Sequence, residues 1–251
     1  MRDYNEEVKS RVKFIKETVA ESKASGIVFA NSGGKDAALT GILCKMACEN
    51  TVSLMLPCGV AINYKSDWND AMTLAKQYDI ATRGIDLAET KAAFLRAVQG
   101  DFEITERAMA NIAPRLRMLS LNAIATSENR LVAGTGNRSE IYLGYFTKWG
   151  DGAYDFNPIA DLTCTEVLEF LRWLKAPDAI VNKPPSAGLY EGQTDEIELG
   201  ITYERIDRYI TTGEAVPADM HIIERFHETT HHKRRPPLMY KGMQSVPPQR
   251  S

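Results

Sequence analysis

The stretch Ala30-Asn31-Ser32-Gly33-Gly34-Lys35-Asp36-Ala37 decides how the chain is read. It follows the apolar run 26–29, which reads as a buried strand, and precedes the apolar, helix-permissive run 37–47. A turn of small residues between strand and helix lets the backbone come close to an anion. The helix N-terminus then aims unpaired N–H groups and a positive dipole end at that anion. Asp36 is the odd member. A carboxylate beside a phosphate is repulsive unless a divalent cation lies between them, so the stretch implies Mg²⁺ as well as a nucleotide. The same residues also suit a plain Gly-Gly turn with an aspartate near a helix start, and the neighbouring sequence has to separate the two readings.

Downstream, 51–56 is rich in β-formers and ends at Pro57. Strand, helix and strand in this order make a βαβ unit with a parallel sheet and a right-handed crossover, whose ligands bind at the carboxyl edge. Upstream, Val8, Val12, Ile15 and Val19 recur at helical spacing and predict an amphipathic helix over 4–23. Helices over 67–77 and 88–98 flank a third strand at 81–87. A long helix is expected over 102–126, kinked or divided by Pro114, with Ile104, Ala108, Ile112, Leu119 and Ala123 on one face. That face is a candidate dimer surface as well as a core face. A fourth strand, 130–133, runs into Gly134-Thr135-Gly136-Asn137-Arg138-Ser139-Glu140. Two such turns on one sheet edge could enclose a nucleotide, with Glu140 opposite Asp36 as a second oxygen ligand for one cation.

The loop 145–155 carries Lys148, Asp151, Asp155 and several aromatics, which suit a polar organic ligand or an ordinary solvated loop. Thr163-Cys164-Thr165-Glu166 is a capping-box pattern that opens a helix burying Val167, Leu171 and Leu174. The Pro- and Gly-rich segment 175–192 is expected to be mobile over the site. Helices are expected at 203–210 and 218–229, followed by a basic tail at 231–251. His227-Glu228-Thr229-Thr230-His231 matches the HExxH zinc pattern, but no acidic residue follows Glu228 and the only later histidine, His232, adjoins His231. A catalytic zinc needs a third protein ligand on the right face, so the zinc reading is set aside.

Composition bounds the function. A chain of 251 residues with 44% hydrophobic content can bury one large core. A net charge of −3 disfavours a nucleic-acid or anionic-membrane surface. No apolar run approaches membrane-spanning length, and the first residues lack the apolar core of a signal peptide. Cys44, Cys48, Cys58 and Cys164 form no CxxC pair and read as structural thiols. A reduced, cytoplasmic protein is expected.

These residues carry a resemblance. Ser32-Gly33-Gly34-Lys35-Asp36 resembles the SGGxD signature of the N-type ATP pyrophosphatases. Asn111-Ile112-Ala113-Pro114-Arg115-Leu116-Arg117-Met118, Gly134-Thr135 through Glu140, and Phe146-Thr147-Lys148-Trp149-Gly150-Asp151 are similar to the ammonia-dependent NAD synthetase family. So are Gln193-Thr194-Asp195-Glu196 with Glu198-Leu199-Gly200, and His232-Lys233-Arg234. The resemblance implies one domain over 1–251, with 175–200 as a mobile active-site segment. Its implied fold is α/β, three layers with a mostly parallel sheet flanked by helices, of the adenine-nucleotide alpha-hydrolase-like type.

It further implies a homodimer that uses Mg-ATP to adenylate the nicotinate carboxylate of deamido-NAD, releasing pyrophosphate. Ammonia then displaces AMP to give NAD⁺. By similarity ATP falls to Ala30, Asn31, Ser32, Gly33, Gly34, Lys35, Asp36, Ala37, Thr135, Cys164 and Ser186, and Mg²⁺ to Asp36 and Glu140. Deamido-NAD falls to Arg115, Lys148, Asp155, His232 and Lys233, and the catalytic roles to Asp36, Glu140 and Lys148. With no glutaminase portion before the synthetase part, free ammonia or ammonia from a separate protein is the expected nitrogen source.

The chemistry agrees, because a carboxylate is a poor electrophile until its oxygen becomes a good leaving group. The protein has to neutralise phosphate charge and keep the acyl adenylate dry, and needs no nucleophile of its own. Two positions depart from the family pattern. Ala37 stands where a hydroxyl residue is usual, and Cys164 where a lysine usually reaches the phosphates. The second loss is the more serious, because charge-assisted contacts to phosphate are the strong ones. Lys35, beside the phosphates, is the candidate to compensate. Two alternatives stay open: an adenylating amide synthetase for another carboxylate, and a nucleotide-binding homologue with impaired turnover.

Overall fold

Ile27, Val28 and Phe29 are fully buried, and they alternate between two separate cores. That is the pattern of a central strand in a parallel sheet covered on both faces. The computed structural model describes residues 2–59, 64–98, 100, 103–183 and 194–240. Its strands are β1 (Gly26–Ala30), β2 (Thr51–Met55), β3 (Ala81–Gly84) and β4 (Arg130–Val132), all parallel, in the order β3-β2-β1-β4. The register pairs Val28 with Val52 on one side and with Val132 on the other.

The helices before β4 are α1 (Tyr4–Ser22), α2 (Lys35–Ala47), α3 (Tyr64–Gln77), α4 (Ala88–Val98), α5 (Glu106–Ala110) and α6 (Ile112–Glu128). After β4 come α7 (Arg138–Leu143), α8 (Cys164–Trp173), α9 (Asp178–Val181), α10 (Asp195–Leu199), α11 (Tyr203–Thr212), α12 (Pro217–Thr229) and a 3-10 turn, His231–Lys233. One face of the sheet packs Ile27 and Phe29 against Ile15 of α1, Leu39 and Leu43 of α2, Leu74 of α3 and Phe170 of α8. The other packs Val28 and Leu54 against Met118 and Leu121 of α6. A third cluster, with Leu143, Leu199, Ile206 and Ile223, binds α7 to α10, α11 and α12. The three-layer α/β arrangement is therefore as expected. Among the described residues no helix is long and apolar enough to cross a membrane.

The strand order fixes where a ligand would sit. From β1 the chain steps outward to β2 and β3, then returns to place β4 on the opposite side of β1. The carboxyl ends of β1 and β4 thus flank the switch point of the sheet, where a crevice opens in doubly wound folds. The two glycine-bearing turns lie at those two ends.

Local differences have physical causes. The helix expected over 102–126 is two helices that meet at Asn111, whose Oδ1 accepts from the Thr147 hydroxyl (2.6 Å). Pro114 neither kinks nor divides it. It is the third residue of α6, where a backbone N–H would lack an intrahelical partner anyway. Helix α2 begins at Lys35, two residues before the apolar run, which puts Lys35 and Asp36 in its first turn. Within the expected mobile segment, α9 and Lys183 are described, and Lys183 pairs with Asp67 (2.5 Å) and Asp70 (2.8 Å) of α3. Residues 184–193, and with them Ser186, lie outside the described residues.

Helix α1 is anchored by charge as well as by Ile15. The buried Arg11 guanidinium donates to Glu7 (2.7 Å), Asp161 (2.6 Å) and the Pro158 carbonyl (2.5 Å). Arg2 pairs with Glu166 at 2.7 Å. Burial alone would raise the carboxyls of Asp161 and Glu166, but Arg11 beside the first and Arg2 beside the second hold both below their usual values. Replacing Arg11 by Ala is expected to lower the unfolding free energy by about 2 kcal/mol, because its half-exposed partner Asp161 keeps access to water. A loss below about 0.5 kcal/mol in urea unfolding would contradict this anchoring. Depressed carboxyls lend stability above their unfolded value, near about pH 4, that is lost as pH falls through the folded value. The stability gap between wild type and an Arg2→Met/Arg11→Met double variant should therefore narrow from pH 7 to pH 3. An equal gap at both would refute the assignment.

Candidate active site

The turn after β1 is braced from below. Asn31, 3% exposed, accepts from the Gly33 N–H (3.1 Å) and reaches the Ala71 carbonyl of α3 (3.5 Å). Gly33 has φ +75°, and a side chain there would run into the Asp67 carbonyl of α3. Only glycine gives both the left-handed conformation and the close approach. Ser32 Oγ accepts from the Gly34 N–H at 3.3 Å. Gly34 occupies the N-cap of α2 with no side-chain cap, so the first amides of α2 face the turn as donors. Ala30 ends β1, and Ala37, in the first turn of α2, is buried. Across the crevice, the Gly134 carbonyl accepts from Thr40 of α2 (3.4 Å), with Thr135 next to it.

Asp36 and Glu140 are brought together by Asn137. Its Nδ2 donates to Asp36 Oδ1 (3.0 Å), while its backbone N–H donates to Glu140 Oε2 (3.0 Å). The Glu140 N–H returns a bond to Asn137 Oδ1 (3.0 Å), closing a capping box at the start of α7. Lys35 Nζ lies 2.6 Å from Asp36 Oδ2 and 5.7 Å from the centre of the Tyr203 ring. Tyr203 in turn donates to the buried Asp195 (3.2 Å). Withdrawal from water and the nearby Asp36 carboxylate push the Glu140 carboxyl well above its usual value, with Lys35 only partly offsetting them. Cys164 is 1% exposed, and burial pushes its thiol up. Its backbone N–H donates to Ser139 Oγ (3.1 Å), and Thr165 N–H to Asp207 (2.8 Å), so protein groups close the N-terminus of α8.

Two neighbouring carboxylates, one driven toward its neutral form by burial and then by the other, are a donor set that a hard divalent cation fits. Among the described residues no three His, Cys, Asp or Glu side chains converge on a point. A cation here would complete its shell with phosphate and water, as magnesium does.

A second group forms where α6, the loop after α7 and the 3-10 turn meet. Arg115, exposed, points Nε and Nη2 at the Lys148 carbonyl (3.4 Å each). Lys148 Nζ donates to the His232 carbonyl (2.8 Å). Lys233 Nζ donates to the carbonyls of Gly144 (2.7 Å) and Phe146 (2.6 Å), so it fastens the turn to the end of α7. Burial, then the nearby Arg107, lowers the Lys233 ammonium, with Asp151 opposing. These cations rest on carbonyl oxygens, which leaves a net positive surface suited to an anion. Helix α7, six residues and about 9 Å long, joins the two groups, with Glu140 in its first turn and Gly144 capping its end.

Asp155 Oδ2 accepts the Val132 N–H of β4 at 2.7 Å. His227 of the HExxH pattern stacks on Tyr142 (4.2 Å between centroids) and bonds its carbonyl (2.9 Å). Clefts lined by Arg2, Arg11 and Asp161, and by Met72, Lys76 and Thr82, contain none of the predicted site residues. The Ser139 hydroxyl donates to Asp207 of α11; neither this pair nor the bridging role of Asn137 is among the sequence-based expectations. The Asn137-x-x-Glu140 spacing was a visible capping signal; for Asp207 on α11 there was none.

The NAD synthase family profile matches residues 7–237. The NH(3)-dependent NAD(+) synthetase of Carboxydothermus hydrogenoformans is 41% identical, the alignment covering 94% of this chain and 97% of that one. The structure of NMN synthetase from Francisella tularensis aligns with a TM-score of 0.91 and 34% identity, covering 96% of this chain and 100% of that one. An NH3-dependent NAD synthetase from Campylobacter jejuni, solved in complex with nitrate ion, aligns with a TM-score of 0.80 and 27% identity over 96% of this chain and all of its own. The parallel sheet between two helical layers is of the adenine-nucleotide alpha-hydrolase type that these neighbours share. By profile, sequence and fold, this chain belongs to the NAD synthase family.

Proposed function

We propose that the chain catalyses the ATP-dependent amidation of deamido-NAD with ammonia, giving NAD⁺, AMP and pyrophosphate. The observation that carries this reading is the Asn137-bridged pair, Asp36 with Glu140, at the switch point of the sheet. A nicotinate carboxylate oxygen attacks the α-phosphorus of ATP and pyrophosphate leaves. Ammonia then attacks the acyl carbon, the C–N bond forms, the C–O bond to AMP breaks, and one proton is released.

The amides at Gly33, Gly34 and the first turn of α2 cradle the triphosphate, with Ser32 and Thr135 at its sides. Asp36 and Glu140 hold Mg²⁺, which when bound supplies the positive charge that the phosphates need. Arg115 and Lys148 bind the anionic part of the dinucleotide, and His232 lines the same surface. Lys233 positions the loop that carries Lys148. Asp155, Ala37, Cys164 and Ser186 retain the assignments implied by family resemblance. A homodimer would use the long helix α6, on which Leu119 is 65% exposed. The cysteines, all free, suit a reducing cytoplasm.

A second reading comes from the Francisella tularensis NMN synthetase, whose structure is so close. A mononucleotide carries the same carboxylate without the adenylyl half. AMP release measured with deamido-NAD and with nicotinate mononucleotide separates the two. The expected result is a higher kcat/KM for the dinucleotide, and turnover favouring the mononucleotide would select the second reading. Arg115→Ala and Lys148→Ala should each raise the KM for the pyridine substrate about tenfold while leaving the KM for ATP near wild type. Asp36→Asn and Glu140→Gln should each lower kcat by about a hundredfold or more. Parallel effects of all four on both substrates would refute this division of labour.

A further inference from the structure

Lys35 stands inside the acidic group, not at its rim. Its side chain is 6% exposed, and its ammonium touches Asp36 Oδ2. Neighbouring residues in a helix diverge by about 100°, so they do not normally pair with each other. The Lys35 stem nevertheless turns back to Asp36, with its ammonium 5.7 Å from the centre of the Tyr203 ring of α11. Asp36 has both oxygens engaged, Oδ1 by Asn137 and Oδ2 by Lys35.

An ammonium carries three donors. Among the described residues Lys35 has one hydrogen-bond acceptor, the Asp36 carboxylate. The face of Tyr203 is a weak partner for the rest. An enclosed cation with donor capacity to spare, beside the uncapped amides of α2, is placed to meet further oxygen acceptors. A metal approaching Asp36 competes with this ammonium for the same carboxylate, the like charges repelling each other. A triphosphate arriving with the metal offers the ammonium new oxygens.

We propose that Lys35 is an exchangeable counter-cation, holding Asp36 in the nucleotide-free protein and passing to the triphosphate when metal takes its place. The inference rests on the reading of Asp36 and Glu140 as metal ligands. It makes metal and nucleotide bind cooperatively: metal alone competes with Lys35, and metal with nucleotide does not. Lys35 is thereby a nucleotide-binding residue with a second, gating effect on the metal.

The test is Mn²⁺ binding to the full chain, followed by electron paramagnetic resonance, with and without α,β-methylene-ATP. Without nucleotide, Lys35→Met should tighten Mn²⁺ binding by about tenfold or more, since a buried positive charge is removed beside the site. The same variant should weaken binding of the nucleotide analogue by about tenfold or more and abolish most of the cooperativity. Lys35→Gln, which drops the charge but keeps a donor for Asp36, should give the same signs and serves if Lys35→Met fails to fold. Unchanged or weaker Mn²⁺ binding in the neutral variants would overturn the proposal. Asp36→Asn separates the two levels. If it binds Mn²⁺ like wild type, the metal-ligand reading falls and takes this inference with it. If it abolishes binding while the Lys35 variants bind like wild type, only the role of Lys35 falls.

Discussion

The repulsion between Asp36 and Glu140 is the constraint on which the rest of the structure depends. Two carboxylates enclosed together are unfavourable, and the protein keeps them together only by surrounding them with donors. Asn137 ties one to the other through three bonds near 3.0 Å, and Lys35 supplies the opposite charge. Each carboxylate comes from a different strand end. The parallel pairing of β1 with β4 is what makes their meeting possible, and the buried alternation of Ile27, Val28 and Phe29 is what holds β1 central.

Charge is sorted along α7. At its N-terminus the acidic group faces the donor-rich turn after β1. At its C-terminus Arg115, Lys148 and Lys233 gather on carbonyl oxygens, with no carboxylate among their direct hydrogen-bond partners in the described residues. Two substrates, one bearing a triphosphate and the other an anionic pyridine nucleotide, would match this separation. The short helix acts as a spacer whose rigidity comes from its capping box at one end and Gly144 at the other. A side chain on Gly144 would collide with Thr230, so the close docking of α12 onto this corner also requires glycine there.

Much of this was legible because the signals are local. The strand–turn–helix at 26–47, the capping box Thr163–Glu166 and the βαβ order all follow from residues within a few positions of one another. What was not legible depends on distant partners. The break at Asn111 is held by Thr147, and a proline at a helix's third position looks the same in sequence as one in its middle. The Tyr203 ring that faces the buried Lys35 ammonium belongs to α11, far along the chain. Lys233 is a ligand contact only by family resemblance, and the two backbone carbonyls that engage its ammonium are supplied by the folded corner. Asp155 likewise serves the β4 backbone through one oxygen.

The most direct measurement is a crystal of the full chain grown with Mn²⁺ and α,β-methylene-ATP, with the metal located by its anomalous scattering. The expected result is one peak within about 2.5 Å of an oxygen of both Asp36 and Glu140 and of a phosphate oxygen. A metal bound away from either carboxylate, or a triphosphate lying outside the turn at Gly33 and Gly34, would contradict the shared-cation site.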